Sequence, residues 1–160
     1  MNWFRGNGGN DTFNGGAGED DVIGGAGNDG IIGGLGNDHM TGNEGNDTLT
    51  GGGGEDDFNF WGDLGSLGVD TFTDFQVGID EIWVPNTWAS GFTGEFLTAA
   101  QFRSGAGVST ANTTAQRLIY NTTTGDVFFD VDGNGATAAV KLATLQNLAA
   151  IQFDDFHLFT

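Results

Sequence analysis

From Gly6 to Asn59 the hydrophobic residues recur once every nine positions. Phe13, Val22, Ile31, Met40, Leu49 and Phe58 are evenly spaced, with mostly glycine, acid and amide between them. The stretch divides without a gap into six nonapeptides: GNGGNDTFN, GGAGEDDVI, GGAGNDGII, GGLGNDHMT, GNEGNDTLT and GGGGEDDFN. Positions one and four are always Gly, position six is always Asp, and position eight is always apolar. One apolar residue in nine fits neither a 3.6-residue helical period nor a long alternating strand. It predicts a very short strand over positions seven to nine, with its middle residue pointing inward. The other six residues form a turn, where glycine permits positive φ and close backbone approach. Two strands then make one coil of 18 residues, with blocks one, three and five stacked on one side and two, four and six on the other. The expected fold is all-β, a narrow parallel β-roll.

From Phe60 the glycine density falls and aromatic residues rise, which divides the chain into a roll (1–59), a capping segment (60–84) and a small β-rich domain (85–160). A roll exposes strand edges and an open core at its last coil. Trp61, Phe72, Phe75 and Trp83 are the expected cover. Beyond Pro85, residues 96–102 predict a short helix with Thr98 as N-cap. Residues 117–121 and 126–130 predict a hairpin around Thr122–Gly125, and a strand follows at 140–145. At the other end, residues 2–5 read as the tail of a further block, with Asn2 in the Asp column and Phe4 in the apolar one. The chain is therefore expected to begin inside a longer array.

Composition sharpens this picture. The 160 residues include 30 Gly and only one Pro, so the nine-residue period replaces any collagen-like reading. A hydrophobic share of 38%, with 14 Phe, separates the chain from disordered acidic segments. A net charge of -18 argues against nucleic acid and anionic membranes as partners. There is no Cys to form a disulfide or thiolate site, no apolar leader after Met1, and no apolar run of the ~20 residues that span a bilayer. Between Arg5 and Arg103 there are 17 acids and no Lys or Arg. Stacked coils are ~4.8 Å apart, so Asp11, Asp29 and Asp47 form one column of carboxylates and Asp20, Asp38 and Asp56 another. At an effective dielectric of ~20, neighbours in a column repel by roughly 3 kcal/mol. A divalent cation between successive carboxylates turns that repulsion into attraction. Carbonyls of the Gly-rich turns are hard oxygen donors suited to Ca²⁺, whereas Mg²⁺ prefers to keep its water.

The pattern G-G-x-G-x-D-x-apolar-x resembles that of the RTX (repeats-in-toxin) proteins, for which a calcium-binding β-roll is the established structure. Residues 58–60 and Asp70–Ile82 are similar to the D-T-x-x-D-F-x-x-G-x-D-x-I segment closing such rolls. Arg117–Tyr120, Gly125–Gly135 and Asp155–Leu158 resemble the family's C-terminal region. The resemblance implies that each ion sits between one turn and the turn a full coil above. The lower turn offers carbonyls of positions two and four plus its Asp; the upper offers carbonyls of positions one and three plus its Asp. The first site then joins Asn7, Gly9 and Asp11 to Gly24, Ala26 and Asp29. Its opposite number joins Gly16, Gly18 and Asp20 to Gly33, Leu35 and Asp38. The next coil brings Gly25, Gly27 and Asp29 to Gly42, Glu44 and Asp47, and a fourth site joins Gly34, Gly36 and Asp38 to Gly51, Gly53 and Asp56. Six blocks imply four complete sites and up to two more at the following segment, hence four to six Ca²⁺. Asp80 is a candidate ligand there. Asn replaces Gly at position two in Asn7 and Asn43, a residue that tolerates positive φ.

Enzymatic motifs are not found. The only histidines, His39 and His157, do not form H-E-x-x-H, and no G-x-S-x-G or phosphate-binding loop exists. Asp130-Val131-Asp132-Gly133-Asn134-Gly135 matches half of an EF-hand loop, but Lys141 occupies the twelfth position and no helices are expected beside it. It reads as a polar hairpin loop or a solitary calcium site. The family implies a non-catalytic, secreted, extracellular module that uses a type I secretion apparatus, with an uncleaved signal in the last few tens of residues, ending in Asp155–Phe159, and folds when it meets calcium. Two alternatives remain: a polysaccharide-binding module using Trp61, Trp83 or Trp88, and the tail of a secreted enzyme.

Overall fold

The computed structural model describes residues 1–89, 92 and 94–160. Six strands of six residues open the chain: β1 (Trp3–Gly8), β2 (Thr12–Ala17), β3 (Asp21–Ala26), β4 (Gly30–Leu35), β5 (His39–Glu44) and β6 (Thr48–Gly53). They are followed by β7 (Asp57–Asn59), β8 (Asp70–Phe72), β9 (Glu81–Pro85), β10 (Phe102–Gly105), β11 (Leu118–Asn121), β12 (Asp126–Phe129), β13 (Val140–Leu145) and β14 (Phe156–Phe159). One sheet has the order β1-β3-β5-β7-β9-β14, and the other β10-β11-β12-β13-β8-β6-β4-β2. Pairing in the repeats is parallel at a spacing of 18 residues, as in Phe13↔Ile31 and Val22↔Met40. Asn2 and Phe4 take their places below the first coil, with Phe4 opposite Val22.

The repeat strands are longer than the apolar pattern predicts. They run over positions seven to nine and on through positions one to three of the next block, leaving only positions four to six as the turn. The pleat explains the difference. Residues two apart face the same side, so position eight and the next position one both point inward; in β3 these are Val22 and Gly24. The second inward residue is glycine because the aspartate five residues later folds its carboxylate into that space. A Cβ on Gly24, Gly33 or Gly42 would collide with Oδ2 of Asp29, Asp38 or Asp47. Half of the inward pattern is therefore invisible to a count of apolar residues.

The stack does not stop at Asn59. After the five residues 60–64, Gly65–Thr73 (GSLGVDTFT) form a seventh block, with Leu49↔Phe72 in register and Gly45 N donating to Leu67 O at 3.1 Å. Residues 75–83 form an eighth, with Phe58↔Ile82. Its inward position one is Phe75, which fills the space that glycine leaves elsewhere and packs its ring 5.6 Å from that of Phe58. The cover over the last coil is thus Phe60, Leu67, Phe72 and Phe75, all buried. Trp61, by contrast, is exposed, and Trp83 lies on the outer face of the first sheet, away from the covering role expected of both.

Residues 85–160 extend both sheets. β13 pairs with β8 and β14 with β9, both in parallel. The core continues through Leu118, Tyr120, Val127, Phe129, Leu145 and Phe156. The predicted hairpin is present as β11 and β12, turning at Gly125 with φ 75°. The predicted helix at 96–102 is absent. Gln101 N donates to Thr98 O and Thr98 N to Gln101 Oε1, both at 2.9 Å, which closes a single turn. Phe102 then enters the core as the first residue of β10. At the C-terminus, the buried Asp155 accepts from Gly78 N at 2.8 Å and Gln152 N at 2.6 Å, locking the capping segment to the last strand. Among the described residues no helix is long and apolar enough to cross a membrane.

Candidate metal centre

Each turn presents its aspartate to the turn below in the same way. Asp29 Oδ1 accepts from Asp11 N at 2.8 Å, Asp38 from Asp20 N at 2.9 Å, Asp47 from Asp29 N at 2.8 Å and Asp56 from Asp38 N at 3.0 Å. Asp70 and Asp80 continue the two columns, accepting from Asp47 N at 3.0 Å and Asp56 N at 3.2 Å. In Asp29, Asp38, Asp47 and Asp56 one carboxylate oxygen is thereby fixed and the other is left over. Oδ2 of Asp11, Asp20, Asp29, Asp38, Asp47 and Asp56 is buried without a hydrogen-bond partner. A buried anionic oxygen without a donor is costly, and here it recurs once per turn in register.

Backbone oxygens gather at the same places. The point where a Cβ on Gly15 would sit is 2.5 Å from Gly33 O and 2.6 Å from Asp20 Oδ2. Asn7 O lies 2.5 Å from the corresponding point on Gly25, and Gly16 O would collide with a Cβ on Gly34, so carbonyls of position two point at the turn above. Carbonyls of position three point down, since Ala26 O accepts from Gly9 N at 2.8 Å and Leu35 O from Gly18 N at 2.6 Å. Positive φ at positions two and four aims these groups, and Asn7 and Asn43 adopt it as the glycines do, at 71° and 69°. Among the described residues no three acidic or histidine side chains form a cage. The oxygen density is mainly carbonyl, with carboxylates adding charge. That donor set fits Ca²⁺ and offers no nitrogen or sulfur to a softer metal.

Burial pushes the carboxyls of Asp38, Asp47, Asp56, Asp70 and Asp80 above their usual range. Asp47 rises to about 6 through desolvation, which outweighs the lowering hydrogen bond from Asp29 N, with the charge of Asp29 adding to the rise. Asp70 reaches about 8 and Asp80 about 6, each mainly by desolvation. Desolvation also raises Asp38 and Asp56, with column neighbours adding to Asp38 and Asp74 adding to Asp56. The metal-free folded state therefore binds more protons than the unfolded chain. Its stability is fullest below pH ~4 and falls as pH rises through about 6 to about 8. In chelator, the residual β-sheet circular dichroism is expected to increase as pH is lowered from 8.5 to 5; a decrease over that interval would contradict this electrostatic picture.

Two contributors escape the repeat motif as read. Asparagines at position five form a ladder, with Asn10 Oδ1 accepting from Asn28 N and Asn28 Oδ1 from Asn46 N, both at 2.9 Å. The recurrent Asn-Asp dipeptide was their signal. Asp74 caps the sixth turn, accepting from Gly51 N and Gly52 N at 2.9 Å each. At the eighth block the turn differs. Asp80 Oδ2 accepts from Gln76 N at 2.8 Å, and Gln76 Nε2 donates to Gly52 O at 3.1 Å, so the protein's own donors occupy that gap.

The other candidate groups lie elsewhere. His39 is on the outer sheet face, with Nδ1 2.7 Å from Asp57 Oδ2, and His157 stacks on Trp83 with ring centroids 3.8 Å apart. Trp88 packs inward between Phe60 and Phe129, its Nε1 donating to Gly62 O at 3.0 Å. Asp130–Gly135 lies in the loop joining antiparallel β12 and β13, where Asp130 accepts from Asp132 N and Ala111 N.

Residues 1–31 and 32–63 match the family of the RTX calcium-binding nonapeptide repeat. No match is found among curated proteins. Among solved structures, the chain is similar to the AlgE6R3 subunit of the Azotobacter vinelandii mannuronan C5-epimerase. The TM-score is 0.55 at 26% identity, covering 92% of this chain and 77% of that one. With the columns, turns and parallel coils described above, residues 1–63 are RTX calcium-binding nonapeptide repeats, set in an all-β roll.

Proposed function

We propose that the chain is a non-catalytic module that folds on binding calcium and serves the export of an extracellular protein. The observation that carries this reading is the row of six buried, unpartnered Asp Oδ2 atoms, one per turn. Four gaps between repeat turns are assigned the ligand sets implied by the block positions, from Asn7, Gly9, Asp11, Gly24, Ala26 and Asp29 upward. Asp47 and Asp70 supply a fifth, because Asp70 repeats the same contact one coil on. The gap beneath Asp80 is assigned to hydrogen bonding through Gln76. When bound, Ca²⁺ supplies the positive charge the columns lack, and the chain's own residues do the rest by aiming oxygens.

The C-terminal run supports the export reading. Asp155 and Phe156 are buried, and Phe156–Phe159 form β14 against β9, so a secretion apparatus can read this segment only before the roll closes. Low cytosolic calcium keeps the chain open, and millimolar calcium outside closes it. A reporter fused ahead of residues 1–160 is expected in the medium of cells carrying a type I apparatus. Deleting 153–160 is expected to retain it inside; export without those residues would overturn the assignment of the signal. The neighbour's membership of an epimerase fits attachment of such a module to a secreted enzyme. It also supports a second reading, polysaccharide recognition, which the aromatic-walled groove on the first sheet favours.

A further inference from the structure

The outer face of the first sheet carries a groove that the calcium columns do not use. Positions seven and nine of alternate blocks point away from the core and lie side by side across the strands. One row reads Trp3, Asp21, His39, Asp57 and Glu81; the next reads Arg5, Ile23, Thr41, Asn59 and Trp83. A groove of about 440 Å³ runs over these residues apart from Arg5 and Glu81, within the usual size of a small-ligand site. Trp3 stands at one end, 66% exposed. At the other, the loop after β7 folds Trp61 back onto Phe159, ring centroids 5.2 Å apart and nearly parallel, leaving the indole 61% exposed. The rows cross five strands, β1 to β9, and four spacings of ~4.8 Å make the groove about 19 Å long.

Flat aromatic faces at both ends and a floor of hydroxyl, amide and carboxylate groups suit a chain of polyhydroxylated rings, which present apolar faces and hydrogen-bonding edges. Charge narrows the class. Asp21 and Asp57 line the floor, against one arginine, Arg5, at the start of the second row, in a chain of net charge -18. A polyuronate strand would be repelled. A cationic peptide would use the carboxylates alone, and Asp57 already holds His39. Resting on the polysaccharide reading above, we infer that this groove binds an uncharged glycan strand. The floor residues Asp21, His39 and Asp57 directly follow Asp20, Asp38 and Asp56, so binding follows calcium-dependent folding of that column.

The test is calorimetric titration of residues 1–160 in millimolar Ca²⁺ with neutral hexasaccharides (cello-, xylo- and manno-linked), oligomannuronate and oligolysine, with folding checked by circular dichroism. A neutral hexasaccharide is expected to bind with a change in tryptophan emission. The exposed-face variants Trp3→Ala and Trp61→Ala should each weaken binding about tenfold or more while leaving the fold unchanged. If no saccharide binds the folded protein, the polysaccharide reading itself fails. Preference for oligomannuronate, or neutral binding unaffected by either substitution, overturns this assignment and leaves the broader reading standing. Binding of oligolysine alone overturns both.

Discussion

Chelating calcium from the purified chain is expected to abolish most of its β-sheet circular dichroism and its cooperative melt, and millimolar Ca²⁺ to restore both. Each repeat orders nine residues and buries one large apolar side chain, such as Val22, Ile31 or Met40. Conformational entropy costs ~1–2 kcal/mol per residue, while full burial of one such side chain contributes ~1.5–3 kcal/mol. Column neighbours add roughly 3 kcal/mol of repulsion per pair. A cation in each gap removes that repulsion and satisfies an otherwise orphaned oxygen. At a free concentration 100-fold above its dissociation constant, each bound ion contributes about 2.7 kcal/mol. A chain that stays folded in chelator, with neither spectrum nor melting temperature responding to calcium, would sink the proposed function.

Asp38→Ala is expected to remove two ions and Asp11→Ala one, as counted by calorimetry. Asp38 sits between two gaps: its Oδ1 accepts from Asp20 N, and its own N donates to Asp56 Oδ1. Asp11 N donates to Asp29 Oδ1, placing Asp11 beside one gap of the proposed scheme. Losing Asp38 also leaves the Asp20 N–H without its acceptor, a further cost of ~1–3 kcal/mol. The calcium midpoint should therefore move much further for Asp38→Ala. Equal losses from the two variants would refute sharing of carboxylates between successive sites.

The parts of this protein that can be read along the chain are those set by a local period. Six Asp at position six and six apolar residues at position eight specify the coil, the two columns and the parallel register, because an unbroken nine-residue phase permits one stacking. Where the phase breaks, reading fails. The insertion at 60–64 hides the seventh block, although Gly65, Gly68, Asp70 and Phe72 follow the motif. Trp61 and Trp83 look like cover residues by composition, but strand alternation turns Trp83 outward and the loop turns Trp61 back over the same face.

By itself, the sequence determined an all-β roll with two acidic columns, since repetition copies each local geometry coil after coil. Only the tertiary structure decided three further things. Position-one glycines make room for carboxylates, residues 85–160 continue both sheets through β13 on β8 and β14 on β9, and the outward rows assemble a groove. The second of these joins residues through space without a repeating interval to announce them. A contact such as Asp155 with the Gly78 amide depends on where the whole stack ends, which no local pattern records.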